Sequence, residues 1–133
     1  MFNSNHKQPW LILLVVGAFL AAIVASCKKN PGPANPVITL TSPADTLVIN
    51  VGDTISINGT VTDNESLHEV FISFKDNSSD SVLINDNPYT HGSKSYTFRY
   101  TWYATDASNY TLNIIAQDHD LNTTEKGFSF TVN

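Results

Sequence analysis

The side chains able to do chemistry in this sequence are few, and they fall into three groups. Oxygen ligands collect in two polar turns, Asp63 with Glu65 and Asp118 with Asp120 and Asn122. Carboxylate and amide oxygens drawn from two loops suit Ca2+, which takes roughly 6–8 oxygen ligands in a flexible geometry. The run Asp118-x-Asp120-x-Asn122 has the alternate spacing of a calcium loop but lacks the closing Glu of an EF-hand. The plainer reading is that Asp and Asn favour turns because their side chains bond the local backbone. Calcium is the single candidate cofactor. The imidazoles His68, His91 and His119 fall at a strand start, in a loop and in a turn, with no spacing that suggests a shared metal, and they read as polar surface residues. The one thiol, Cys27, has no partner in the chain, which excludes an internal disulfide and a Cys-based zinc site.

Nothing assembles these groups into a catalyst. The chain has no G-x-S-x-G, no H-E-x-x-H and no phosphate-cradling Gly loop, and no pair of carboxylates stands out as acid and base. A non-enzymatic role is expected. From Pro36 onward only Lys75, Lys94, Arg99 and Lys126 face 12 acidic residues, a net charge of −8. A nucleic-acid surface needs a basic stripe to displace counterions, so nucleic acid is excluded as a partner. The candidate contact residues are aromatic and basic instead: Tyr89 and His91 in the longest loop, and Arg99 and Tyr103 on one face of a strand.

The elements that must position these residues are strands. Ile55, Ile57, Gly59 and Val61 alternate with polar residues, as do Val70, Ile72 and Phe74, and then Tyr96, Phe98, Tyr100 and Trp102. Tyr110, Leu112, Ile114 and Ala116 repeat the pattern, followed by Phe128, Phe130 and Val132. Polar turns at 63–66, 76–80 and 86–93 separate these runs. The Tyr96–Trp102 stripe could stack on a sugar, but it reads first as the inward face of a sandwich strand. About seven such strands predict an all-β, antiparallel β-sandwich over residues 36–133, and roughly 100 residues suffice to bury well over half of their surface.

The segment before this domain has a different character. Trp10 to Ala25 is an uninterrupted apolar run without charge or Pro, following a short polar start with Lys7. Its length suits the apolar core of a signal peptide better than a membrane span of about 20 residues. The run ends in Val24-Ala25-Ser26-Cys27, which resembles the lipobox of bacterial lipoproteins. That resemblance implies a signal-peptide helix over 1–26, removed on processing, and Cys27 as the lipidated first residue of the mature chain. Residues 27–35 then form a Pro-rich tether, extended because Pro lacks a donor and restricts the residue before it. The implied partner is the membrane, through the lipid anchor. The implied location is the outer membrane, facing the periplasm or the cell surface, in a lipoprotein of Bacteroidetes type.

Within the domain, Asp106-Ala107-Ser108-Asn109-Tyr110-Thr111-Leu112 resembles the element before the sixth strand of immunoglobulin-like (Ig-like) domains. The stretch from Ile115 to Asn122 is similar to a turn of bacterial Ig-like and cadherin-like modules, with Leu121 where Gly is usual. The resemblance implies an Ig-like sandwich in which Tyr110 closes a corner through its hydroxyl. It also places the turns holding Asp63, Glu65, Asp118, Asp120 and Asn122 at one end, the end where the tether enters. Asp45-Thr46-Leu47, Asp53-Thr54-Ile55 and Asp80-Ser81-Val82 match the O-glycosylation sequon of Bacteroidetes-type exported proteins, making Thr46, Thr54 and Ser81 candidate glycosylation sites. Two function classes remain: a binding or adhesion module for an envelope protein or glycan, and a structural accessory docking onto a larger envelope complex.

Overall fold

The computed structural model describes residues 34–133, so the signal segment 1–26, Cys27 and the tether up to residue 33 lie outside the described residues. Eight strands follow one another: β1 (Val37–Ser42), β2 (Leu47–Ile49), β3 (Thr54–Thr62), β4 (Leu67–Asp76), β5 (Val82–Asp86), β6 (Ser95–Tyr103), β7 (Ser108–Asp118) and β8 (Thr123–Val132). They form two sheets, β1-β3-β6 and β2-β8-β7-β4-β5. The predicted all-β sandwich is present, with one departure from a purely antiparallel arrangement. The short strand β2 pairs in parallel with β8, Leu47 beside Phe130 and Ile49 beside Val132. The chain changes sheet between β1 and β2 through Pro43 and Thr46, and the Asp45 carboxylate accepts from the amides of Thr46 and Ser129 to hold the crossing.

The alternation seen in the sequence lines the core. Ile57 and Val61 of β3, Val70, Ile72 and Phe74 of β4, and Leu112, Ile114 and Ala116 of β7 are buried almost completely. The Phe98 ring of β6 lies across the bare backbone of Gly59, its strand neighbour. A Cβ at Gly59 would come within 2.3 Å of that ring and 2.5 Å of the Thr39 carbonyl, so glycine is required by close approach rather than by an unusual φ. Tyr96, Tyr100 and Trp102 pack against the core beside Phe98, while Thr97, Arg99, Thr101 and Tyr103 face outward.

Side chains that cross between the sheets bind both sides of the sandwich. On one side the Lys126 ammonium of β8 donates to the Ile38 carbonyl at 2.7 Å, and the Thr124 hydroxyl donates to the Pro36 carbonyl at 2.6 Å. On the other, the Tyr100 hydroxyl of β6 donates to Asp86 of β5 at 2.6 Å. Burial and the Asp86 carboxylate push the Tyr100 phenol well above its usual range, so it remains a donor. These bonds explain why the first half of β8, which carries Thr124 and Lys126 in place of apolar residues, was not recognisable by its pattern.

The corner before β7 forms as the resemblance implied. Tyr110 is 2% exposed, and its hydroxyl donates to the Asp106 carbonyl at 2.9 Å. Its ring stacks on Phe74 at 5.6 Å between centroids. Nearby, the Asp76 carboxylate accepts from the Ser108 hydroxyl, from the Ser79 hydroxyl at 2.6 Å and from the Ser78 amide at 2.9 Å.

Two predictions follow from this end of the molecule. Tyr110→Phe keeps the ring and loses its bond, and denaturant titration should show a loss of about 1 kcal/mol. The Ser108 hydroxyl, then the Ser79 hydroxyl, then the Ser78 amide hold the Asp76 carboxyl at about 2, below its ordinary 3.8. Because the folded value is the lower one, the unfolded chain takes up the proton first as pH falls. The stabilisation is therefore complete above the ordinary value and disappears as pH falls through about 2. Asp76→Asn should melt below the parent at neutral pH, with the gap closing across that acid window in thermal scans.

Candidate functional site

Three separate backbone features bring side chains together at one end of the sandwich. The first is a bulge in β4. Leu67 lies opposite Asp118 of β7 and Glu69 opposite Gln117, which leaves His68 as the extra residue between two successive partners. Such a residue leaves the regular alternation and its side chain is re-aimed. The second is the turn before β6, where the Ser93 amide donates to the Thr90 carbonyl and Gly92 takes a φ of 79°. This turn is stitched to β4: the Gly92 amide donates to the Leu67 carbonyl at 3.0 Å and the Leu67 amide to the Ser93 carbonyl at 2.8 Å. His91 projects from it. The third is the β7–β8 turn, which carries His119.

Asp118 fixes that third turn. It is 3% exposed; one carboxylate oxygen accepts the Asn122 amide at 2.8 Å and the other the Asn122 side-chain amide at 2.7 Å. Burial works against its charge, but the side-chain and backbone bonds from Asn122 outweigh burial and hold its carboxyl below the usual range. Leu121 takes a φ of 66°, the left-handed conformation that the usual Gly would adopt without strain.

The three imidazoles therefore converge, contrary to the expectation that they are unrelated surface residues. Each offers a ring nitrogen, and these atoms all lie within 4.8 Å of one another. Ring centroids are 5.4 Å apart for His68 and His91, 5.1 Å for His68 and His119, and 4.4 Å for His91 and His119. The rings are exposed, and each pair meets nearly edge to face. Among the described residues this is the one group of three or more His, Cys, Asp or Glu side chains with converging ligand atoms. One signal for it was in the sequence: the start of one strand and the end of its antiparallel neighbour share an end, which would have joined His68 to His119.

Beside this group lies a cleft of about 290 Å³ lined by His68, Glu69, Asn87, Pro88, Tyr89, Thr90 and His91. The Asn87 amide donates to Glu69 at 3.2 Å across it. Tyr89 is 89% exposed, with its ring centroid 6.3 Å from that of His91. The structure thus joins Tyr89 and His91. Arg99 and Tyr103 lie apart from them, on the outer face of β6, with Tyr103 at its far end.

The five oxygen-bearing residues share the end expected of them, and β1 begins there too, Val37 pairing with Thr62. Their bonds are those of turns. One Asp63 oxygen accepts the Glu65 amide, while the other is buried without a hydrogen-bond partner. Both Asp118 oxygens are taken by Asn122, and Glu65 and Asp120 are exposed. Thr46, Thr54 and Ser81 are all exposed, Thr46 in the crossing between sheets and Thr54 at the start of β3.

Comparison with known proteins agrees with this architecture. Residues 36–114, more than half of the chain, match the family described as "Bacterial Ig domain". No curated protein matches the chain. Among solved structures, an engineered protein superposes with a TM-score of 0.50 at 20% identity over 77% of this chain, which spans only 21% of that protein. The CARDB domain of a Pyrococcus furiosus protein, solved in complex with di-metal ions, gives 0.51 at 13% identity over 76% of this chain and 89% of the other. A superoxide reductase (neelaredoxin) from Ignicoccus hospitalis gives 0.51 at 11% identity, covering 76% and 82%. At these identities the likeness concerns the fold. Domains of this kind are generally non-enzymatic binding or structural modules, and the reductase demonstrates that the fold can also carry an activity.

The conformation of Leu121 gives a direct test of the turn that bears His119. Leu121→Gly removes the cost of a side chain in the left-handed region, so the variant should gain about 1 kcal/mol in denaturant titration.

Proposed function

Because the chain belongs to the bacterial Ig domain family, we propose that it is a lipid-anchored module of the cell envelope that binds a protein or glycan partner without catalysing a reaction. The observation that carries this reading is the cleft at 87–91, where the exposed Tyr89 ring stands beside amide, carboxylate and imidazole groups. An aromatic ring with hydrogen-bonding groups at its rim suits stacking on a sugar or an extended peptide. The cleft shares its end with the point where the tether joins the domain, since the Asp63 amide donates to the Lys94 carbonyl and Val37 pairs with Thr62. The anchor rests on Val24-Ala25-Ser26-Cys27, and the location on that anchor: the outer membrane, facing the periplasm or the cell surface. More than one acyl chain on Cys27 would hold the domain stably.

Two measurements test the two halves of this reading. Cys27→Ala should abolish labelling by a fatty-acid analogue and leave a precursor of full length; a variant processed and labelled like the parent defeats the lipoprotein assignment. A photo-crosslinking residue at position 89 should trap a discrete partner in native membranes, and one at Thr97, on the outer face of β6, should not. Equal trapping at both positions moves the contact away from the cleft and favours docking through a sheet face.

A further inference from the structure

We propose that His68, His91 and His119 form a site for a divalent transition-metal ion, held by three imidazoles in the tetrahedral manner of Zn2+, with one position left open. This goes beyond the partner-binding reading and does not depend on it. Three ring nitrogens within 4.8 Å of one another must close to about 3.3 Å, the spacing that Zn–N bonds of about 2.0–2.1 Å impose at a tetrahedral angle. The spacing of the rings rules out one geometry. Imidazoles bound to Zn2+ at about 2.0–2.1 Å hold their ring centres about 5 Å apart at a tetrahedral angle, and about 6.4 Å apart when they are trans. The observed separations of 4.4, 5.1 and 5.4 Å contain no trans pair. A square-planar site with three of its corners filled must contain one, so the arrangement fits Zn2+ better than the tetragonal preference of Cu2+.

The backbone supports the same conclusion. Each imidazole stands on a segment fixed by its own hydrogen bonds: the bulge flanked by Leu67 and Glu69, the Thr90–Ser93 turn, and the turn locked by Asp118 and Asn122. Little ordering remains to be done on binding, and the ion would tie together three segments distant in sequence. His68 and His91 also line the cleft, so the open position is reached from there by water or by a donor on a bound partner. The excess of acidic over basic groups in the domain raises the local concentration of a divalent cation.

The test uses the untagged full chain in detergent, stripped with a chelator and titrated with Zn2+ by calorimetry. One ion per chain is expected, with a rise in melting temperature. His68→Ala, His91→Ala and His119→Ala should each weaken binding at least tenfold, about the low end of what loss of a group merely supporting a metal ligand costs. The triple variant should lose both the binding and the thermal shift. The rings are exposed, so the metal-free variants should melt with the metal-free parent, and this comparison separates lost coordination from lost folding. Cu2+ outbinds Zn2+ at most imidazole sites, so ranking affinities identifies nothing; Co2+ serves as the probe of geometry. A strong visible absorption from tetrahedral Co2+ supports the proposal. A weak octahedral spectrum overturns it, as does Zn2+ binding that survives in the triple variant or is absent from the parent.

Discussion

The ladder between β4 and β7 is the constraint on which the rest of the molecule is hung. It runs through the five-stranded sheet from Leu67 opposite Asp118 to Asp76 opposite Tyr110. Its inner face sets Val70, Ile72 and Phe74 beside Ala116, Ile114 and Leu112, all out of solvent. A slip of one residue would turn either apolar set outward, so the register is held by the whole core. Each end of the ladder then carries its own fixture. At one end the Tyr110 hydroxyl and the bonds of Asp76 close the corner; at the other, the bulge at His68 and the turn locked by Asp118 create the converging imidazoles.

The acidity of the domain has a structural origin for a good part. Asp45, Asp53, Asp63, Asp76 and Asp118 each accept a nearby backbone amide and so hold the turn in which they occur. A side chain serving as a turn lock is committed to geometry that a hard cation would have to break. At Asp118 both oxygens are committed in this way, to the two amides of Asn122. The neighbouring imidazoles carry no such duty among the hydrogen bonds of the domain, and the turn that Asp118 locks is the one from which His119 projects.

Where apolar alternation was the cause of structure, it could be read directly: β3, β6 and β7 lie where Ile57, Phe98 and Leu112 placed them. The corner at Tyr110 was equally legible, because its residues are local to one another. The first half of β8 was not. Its inward positions hold Thr124 and Lys126, whose task is to bond β1 across the gap, and a polar pattern gives no sign of such a task. The parallel partner of β2 was hidden for a related reason, since three residues have no period of their own and their pairing is decided far away. The imidazole group was legible only in part: neighbouring strand ends join His68 to His119, but the aim of His68 depends on a bulge, and a one-residue offset in a ladder leaves no mark in either strand's sequence. Leu121 was the exception, marked in advance by standing where glycine is usual.

The parallel pairing of β2 with β8 also orders events in time. Leu47 finds its partner in Phe130, more than eighty residues further along, whereas β1 can zip onto β3 and β7 onto β8 through comparatively short loops. Closing a long loop for a three-residue ladder gives little return before the rest is in place. Assembly dominated by distant contacts is slow in any case. The flap that carries β2 is therefore expected to dock after both sheets exist, leaving the Phe130–Val132 stretch of the outer edge of β8 briefly unpaired. During that interval the edge is open to another chain, and the few residues from Leu47 to Ile49 act as the cover that ends its availability.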